Sequence, residues 1–290
     1  MSRLPDPIRE TIALPGGEMA LLRWPNAGAP RLVFAHANGF CAMAAAPMLA
    51  RLANRFDIVA PDLRGHGRTA LPADPATHRS WKVYADDLLL LNAALDRPAA
   101  FLAGHSMGAT SSLLAASRMD DPPPLALVEP VILPPPLYLA ARTPAWGLFK
   151  RSMSIAKAAR KRSRAWPDRA AVRTRYKAKP NFARWDDAAL DGYLEDGLAE
   201  TADGVALSCS PEWEAANYEA QGHDPFAAAR RIGERARAFR AEHGSTLIGA
   251  GALRRRGVRI DAQAGIGHLA VMEDPARVAD WIASVWDETR

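Results

Sequence analysis

Cysteine is almost missing from this chain: Cys41 and Cys209 are the only two in 290 residues. Two such distant thiols exclude a disulfide framework, and without a C-x-x-C pair there is no zinc-ligand spacing. Long apolar runs are lacking too, since none approaches the roughly 18 residues that a membrane span needs. The start, MSRLPDPIRE, is polar and carries two prolines. With 49% hydrophobic and 24% charged residues, the composition is that of a well-cored globular protein, and a soluble, cytoplasmic chain is expected. Acidic residues are scarce in one stretch. Residues 150–179 hold twelve Lys or Arg against the single acid Asp168, a local charge of +11 that leaves the rest of the chain at −6. The run lacks the aromatic and glycine interleaving of a nucleic-acid platform, so no nucleic-acid partner is expected. It reads as a solvated helix face, with an anionic membrane surface as the alternative.

What is present is an alternation of strand-like and helix-like segments. Ile8 to Leu14 and Glu18 to Trp24 flank Gly16-Gly17 and predict a strand hairpin. Nearly continuous apolar runs at 31–37, 56–61, 99–105 and 125–132 predict strands buried on both faces, and segments of helical spacing at 44–54, 81–95 and 107–119 lie between them. Such alternation implies an α/β fold with a mostly parallel sheet flanked by helices. It stops at Pro134-Pro135-Pro136. Residues 134–226 read as helical, broken by Pro144, Pro167, Pro180 and Pro211, and are expected to be an insertion into a core of residues 1–133 and 227–290. The sheet pattern resumes at 235–241, where three arginines fit poorly in a doubly covered sheet. It continues at 258–263 and closes with an amphipathic helix from Pro275.

Gly104-His105-Ser106-Met107-Gly108 falls between a buried strand and a helix, the context in which a G-x-S-x-G match carries chemistry. A serine on such a sharp turn is strained, and glycines at the flanking positions let neighbouring segments approach closely. Its place at a helix N-terminus favours negative charge nearby. A serine hydroxyl is a poor nucleophile without a base, which directs attention to the seven histidines. His36, His66 and His105 lie inside other motifs, His78 sits on a polar connection and His223 falls in the insertion. His268, in Gly265-Ile266-Gly267-His268 between the last strand and the final helix, is the candidate base.

Four pieces together resemble the α/β-hydrolase family over almost the full length: His36-Ala37-Asn38-Gly39-Phe40, Pro61-Asp62-Leu63-Arg64-Gly65-His66-Gly67, the GHSMG turn and the late His268. The resemblance implies an α/β-hydrolase fold with residues 134–226 as a helical cap over the serine. It implies Ser106 as nucleophile, and an oxyanion hole built from the Met107 N–H and that of Phe40, with Asn38 as the alternative. Asp62, Arg64 and His66 fall in a loop that is structural in the family. The usual acid position, after the strand at 235–241, reads Glu242-His243-Gly244-Ser245-Thr246 and contains no aspartate. A second location known in the family, the end of the strand after the elbow helix, holds Glu129. A lone charge in an apolar strand end needs a cationic or hydrogen-bonding partner. Glu129 is therefore the expected orienting acid and Glu242 the alternative; a pairing of Glu129 with Arg64 would leave the role to Glu242.

Residues 203–213 resemble a cap stretch of bacterial members that carry the HANGF sequence, and no catalytic role follows from them. The cap's eleven aromatics, Trp146, Trp166, Trp185 and Trp213 among them, are expected partly to form its own core and partly to line an apolar pocket. The reading that follows is a serine hydrolase of moderate-sized carboxylic esters working through an acyl-enzyme, with no metal or organic cofactor. A lactonase, thioesterase or carbon–carbon bond hydrolase would use the same residues. A non-catalytic ligand-binding protein would keep only the pocket.

Overall fold

Described over residues 4–289 by a computed structural model, the chain builds an eight-stranded sheet; Met1, Ser2 and Arg3 of the polar start lie outside the described residues. Its first six strands are β1 (Ile8–Leu14), β2 (Gly17–Trp24), β3 (Arg31–Ala35), β4 (Asp57–Pro61), β5 (Phe101–His105) and β6 (Leu125–Val128). Three short strands, β7 (Ala165–Trp166), β8 (Leu198–Thr201) and β9 (Gly204–Leu207), precede the last two of the sheet, β10 (Ala236–His243) and β11 (Arg259–Gly267). The order is β1-β2-β4-β3-β5-β6-β10-β11, antiparallel at β1/β2 and β2/β4 and parallel from β4 onward. This is the α/β-hydrolase fold, and no helix among the described residues is long and apolar enough to cross a membrane.

Every residue of β3, β4, β5 and β6 is buried, as expected where helices cover both faces of a parallel sheet. The period of two decides which face each side chain meets. Leu32, Phe34, Ile58 and Phe101 pack with the helices Ala46–Leu52 and Pro275–Asp287, whereas Val33, Ala35, Val59 and Leu102 pack with Lys82–Ala94 and Met107–Ala116. Each large apolar side chain so covered contributes about 1.5–3 kcal/mol.

The arginine-rich segment is a sheet strand after all. It lies beside β11, where the cover thins: Arg237 pairs with Asp261 and Glu288, Arg240 is exposed, and Arg235 precedes β10 and reaches Asp121. Other boundaries shift for local reasons. β6 stops at Val128 rather than at residue 132 because Glu129 turns left-handed, with φ 48°. The helix from Met107 ends at Ala116, and the turn before Ala46 is a 3-10 helix, Ala42–Ala45.

Residues 134–226 are not wholly helical. β8 and β9 form a hairpin, and β7 pairs with the other edge of β9. The hairpin turns at Ala202-Asp203, and the dipeptide Asp203-Gly204 is a turn signal submerged in a helical reading. Gly204 is required there: its φ is +135°, and a Cβ would lie 2.2 Å from the Trp166 carbonyl oxygen. The helix Pro225–Ile232 runs across position 226/227, packs on Met107–Ala116 and leads the chain back into the sheet.

At the start of β3, Arg31 is buried and directs Nε and Nη2 to Asp57 Oδ2 on β4 at 2.9 and 2.5 Å, with Arg97 on the same carboxylate. Burial would raise the Asp57 carboxyl, but the hydrogen bonds and charge of Arg31 outweigh it and hold the group below its ordinary range. Asp57→Ala takes this acceptor from the buried Arg31, which keeps Asp96 and the Arg97 carbonyl as partners, so the variant is expected to cost about 1–3 kcal/mol in urea denaturation at neutral pH. A depressed carboxyl pKa gives stability that is present above the ordinary aspartate range and lost as pH falls through the folded value. The variant should therefore show a flatter acid limb than the wild type when stability is measured against pH.

Candidate active site

Ser106 is the first residue after β5, with φ 55° and ψ −115°. This left-handed region is costly for a side-chain-bearing residue, about 1–3 kcal/mol, and persists only when its surroundings over-determine it. Here the Ser106 N–H donates to the Val128 carbonyl at 2.9 Å, and its own carbonyl accepts the Thr110 N–H at 3.1 Å. The flanking glycines have steric reasons. A Cβ at Gly104 would lie 2.7 Å from the Ala109 nitrogen, and one at Gly108 would lie 2.2 Å from the Ala35 oxygen and 2.4 Å from that of His36. The second approach lays the loop from His36 to Phe40 against the start of the helix Met107–Ala116.

Glu129, the first residue after β6, is the other non-glycine residue with positive φ among those described. Its N–H donates to the Phe239 carbonyl at 3.0 Å. The carboxylate is sealed from solvent and surrounded by donors. Oε1 accepts the Ala241 N–H at 2.6 Å and the Ser245 hydroxyl at 2.8 Å; Oε2 accepts the Thr246 N–H at 3.0 Å and lies 2.9 Å from His268 Nδ1. Burial pushes this carboxyl up, but the bonds and charge of His268, followed by the Ala241 and Ser245 donors, hold it below the usual range. The other ring nitrogen of His268, Nε2, is 3.1 Å from Ser106 Oγ. An acceptor at Nδ1 assigns the ring proton there and turns the Nε2 lone pair to the serine.

The alternatives for the acid are otherwise engaged. Arg64 pairs with Asp87, its Nη2 2.6 Å from Oδ1, and leaves Glu129 to His268. Glu242 is exposed, and its Oε2 accepts the Gly265 N–H at 2.6 Å instead of meeting the imidazole. Ser245 and Thr246, in the segment that follows β10 where the family usually carries its aspartate, serve as donors to Glu129.

The oxyanion-loop expectation needs correction at Phe40. Its N–H closes a turn onto the Ala37 carbonyl at 3.3 Å, and the Gly39 N–H donates to His66 Nε2 at 3.0 Å. The Asn38 and Met107 N–H groups have no protein acceptor among the described residues. Phe40 instead sets its ring against Trp185 and Tyr193, with centroids 5.2 and 5.6 Å away. Of the other tryptophans, Trp146 donates to the Glu219 carbonyl, Trp213 to that of Arg64, and Trp166 packs on Tyr176.

Asp62, His36 and His66 brace the loops. Asp62 accepts the Ala42 and Arg68 N–H groups, and burial pushes its carboxyl up to about 6. His36 Nε2 accepts the Leu63 N–H at 2.9 Å. Burial brings His66 down to about 4, which keeps its Nε2 a neutral acceptor for Gly39. One supporting residue escaped sequence reasoning although it sits in the motif itself. His105 Nε2 donates to the His268 carbonyl at 2.8 Å, and burial, followed by the neighbouring His268, pushes this ring down to about 3. Glu273 takes the Gly267 N–H and Arg184 the Gly265 carbonyl, so the end of β11 that carries His268 is held from three sides.

An imidazole between a hydroxyl and a buried carboxylate can take up the hydroxyl proton and remain oriented while charged. Among the described residues, no group of three His, Cys, Asp or Glu is placed to hold a metal ion. The sequence profile of the alpha/beta hydrolase family matches residues 32–281. A 2-(acetamidomethylene)succinate hydrolase from Mesorhizobium japonicum is 38% identical over 92 residues, and the match spans 32% of this chain and 32% of that relative. The crystal structure of an E-2-(acetamidomethylene)succinate hydrolase superposes with a TM-score of 0.79 at 21% identity, covering 97% of this chain and 99% of that one. An enol-lactonase from Burkholderia xenovorans gives a TM-score of 0.67 at 20% identity, covering 96% and 100%. With the fold shared along nearly its whole length and the family profile spanning most of its residues, the chain belongs to the alpha/beta hydrolase family.

Proposed function

We propose that the chain is a serine hydrolase of carboxylic esters. The observation that carries this reading is the placement of His268, with Nε2 3.1 Å from Ser106 Oγ and Nδ1 2.9 Å from Glu129 Oε2. In this reading His268 Nε2 takes the Ser106 proton as Oγ attacks the ester carbonyl carbon. The tetrahedral oxyanion accepts hydrogen bonds from the Asn38 and Met107 N–H groups at the amino end of the elbow helix. His268 then gives the proton to the departing alcohol oxygen and leaves an acyl-Ser106. Water, losing a proton to His268, attacks that acyl carbon, and collapse of the second tetrahedral species frees the acid and restores Ser106 Oγ–H. Glu129 stays ionised, holds the tautomer and stabilises the imidazolium.

Residues 134–226 act in this proposal as a cap over the serine, with Trp185 and Tyr193 meeting Phe40 as the apolar wall. Apart from Arg162, which turns inward to Glu214, Tyr176 and Tyr193, the basic stretch is read as a solvated face that acids on neighbouring elements meet: Arg164 pairs with Glu212, Arg169 with Glu200, Arg173 with Asp187, and Arg160 with Glu219. The two thiols are unbridged and buried, which suits the cytoplasm. The relative named for hydrolysis of an acetamido compound favours a second reading, in which the same steps cleave an amide-type acyl bond.

Reaction with a fluorophosphonate, peptide mass mapping and a short-chain nitrophenyl ester assay test the proposal together. An adduct on Ser106 with ester turnover is expected; folded protein that neither labels nor turns over would overturn it. Ser106→Ala and His268→Ala should each lower kcat by about 10⁴-fold or more. Glu129→Gln should cost about 10²- to 10⁴-fold, while Glu242→Gln stays within about twofold. The opposite ranking in steady-state kinetics would move the acid to Glu242.

A further inference from the structure

The helix Pro211–Glu219 begins in the last three residues of the 203–213 stretch and continues beyond it, and its contacts reach both loops beside the serine. It begins with Ser210 Oγ accepting the Trp213 N–H at 3.1 Å. Trp213 Nε1 donates to the Arg64 carbonyl at 3.0 Å, and a Cβ at Gly65 would lie 2.3 Å from that nitrogen. One end of the helix is thereby seated on the loop from Pro61 to Gly67. Glu214 and Asn217, three residues apart on one face, reach the other loop.

Asn217 is fully buried and Asn38 nearly so. Asn217 Nδ2 donates to Asn38 Oδ1 at 2.8 Å, and Asn38 Nδ2 donates to the Glu214 carbonyl at 3.0 Å. Both ends of the Asn38 carboxamide are therefore taken by the same helix. Asn217 is itself fixed from the core: the Tyr84 hydroxyl donates to its Oδ1 at 2.6 Å, and Trp81 Nε1 donates to its carbonyl at 2.8 Å. The Glu214 carbonyl can only accept, so Asn38 turns Nδ2 to it and Oδ1 to Asn217, whose Nδ2 then faces Asn38 and whose Oδ1 faces the Tyr84 hydroxyl.

We propose that Asn217 is a positioning residue of the oxyanion hole, which holds Asn38 by its side chain so that its backbone N–H keeps a fixed direction. This rests on the reading of Ser106 as nucleophile. The need for such a brace is physical. The next residue, Gly39, has φ +79°, and a glycine leaves the loop conformationally permissive. A donor aimed at a developing charge works by being oriented beforehand, in a buried network whose members cannot turn without breaking bonds. Two bonds to one carboxamide, anchored through Tyr84 and Trp81 on the core, supply that restraint from outside the loop.

The test is steady-state kinetics on a nitrophenyl ester with Asn217→Leu, Asn38→Ala and the double variant, beside the rate of Ser106 phosphonylation by a fluorophosphonate. Asn217→Leu should lower kcat by about 10- to 100-fold, with KM changed by less than about threefold and phosphonylation slowed in parallel. The double variant should be no slower than Asn38→Ala alone, since both substitutions cut one link. Folded Asn217→Leu with kcat within about twofold of wild type, or losses that add in full in the double variant, would overturn the proposal. Should Asn217→Leu not fold, Asn38→Ala carries the test, because it cuts the link without changing a residue of the helix: a fall in kcat at constant KM supports the proposal and an unchanged kcat refutes it. Wild-type protein that neither labels nor turns over would refute the reading of Ser106 itself, and this inference with it.

Discussion

Two neighbouring strands of the sheet each end in a side-chain-bearing residue held in the left-handed region, and the site depends on that coincidence. β5 and β6 run parallel with His105 opposite Val128, so Ser106 and Glu129 leave the sheet side by side. The Ser106 N–H is tied to the Val128 carbonyl, and the Glu129 N–H to that of Phe239 on β10. Each turn carries strain of about 1–3 kcal/mol. It persists because three strands and the helix Met107–Ala116 fix the surrounding backbone, and Gly104 and Gly108 let those segments come within contact distance.

A second constraint follows from burying the Glu129 carboxylate. A charge with no access to water is tolerated only with near-complete hydrogen bonding. The Ala241 N–H, the Ser245 hydroxyl, the Thr246 N–H and His268 together meet that requirement. The same contacts that make the charge tolerable also orient the imidazole, and His105 fixes the backbone on which that imidazole rides. The glutamate at 242, exposed and bonded to Gly265, has no comparable surroundings. Position relative to the sheet edge, rather than proximity in sequence to a strand end, separates the two acids.

The central strands and the serine turn were legible in the sequence because their signals are local. β3 to β6 are short apolar runs, and the glycines around Ser106 stand where close backbone approaches require them. Glu129 could be suspected because a charge in an apolar strand end demands a partner, although the residues that meet it lie on β10, in the loop after it and at His268, all more than a hundred positions away. The direction of a backbone amide is not written in residue types, which is why Phe40 and Asn38 could not be separated until the turn from Ala37 to Phe40 was seen. His105 was hidden inside a motif read only for its serine. The β8–β9 hairpin left an Asp-Gly signal, but one dipeptide was outweighed by a long helical composition. Asn217 left no signal, since its role exists only once the helix Pro211–Glu219 is docked on the loop.

The most direct test of the account is a crystal structure of the chain phosphonylated at Ser106. The account predicts the phosphoryl oxygen at about 2.7–3.1 Å from both the Asn38 and the Met107 nitrogen. It also predicts His268 still bridging toward Glu129, and Asn38 still held by Asn217. An adduct oxygen bonded to the Phe40 nitrogen or directed into solvent, or an imidazole turned from Glu129 toward Glu242, would contradict it.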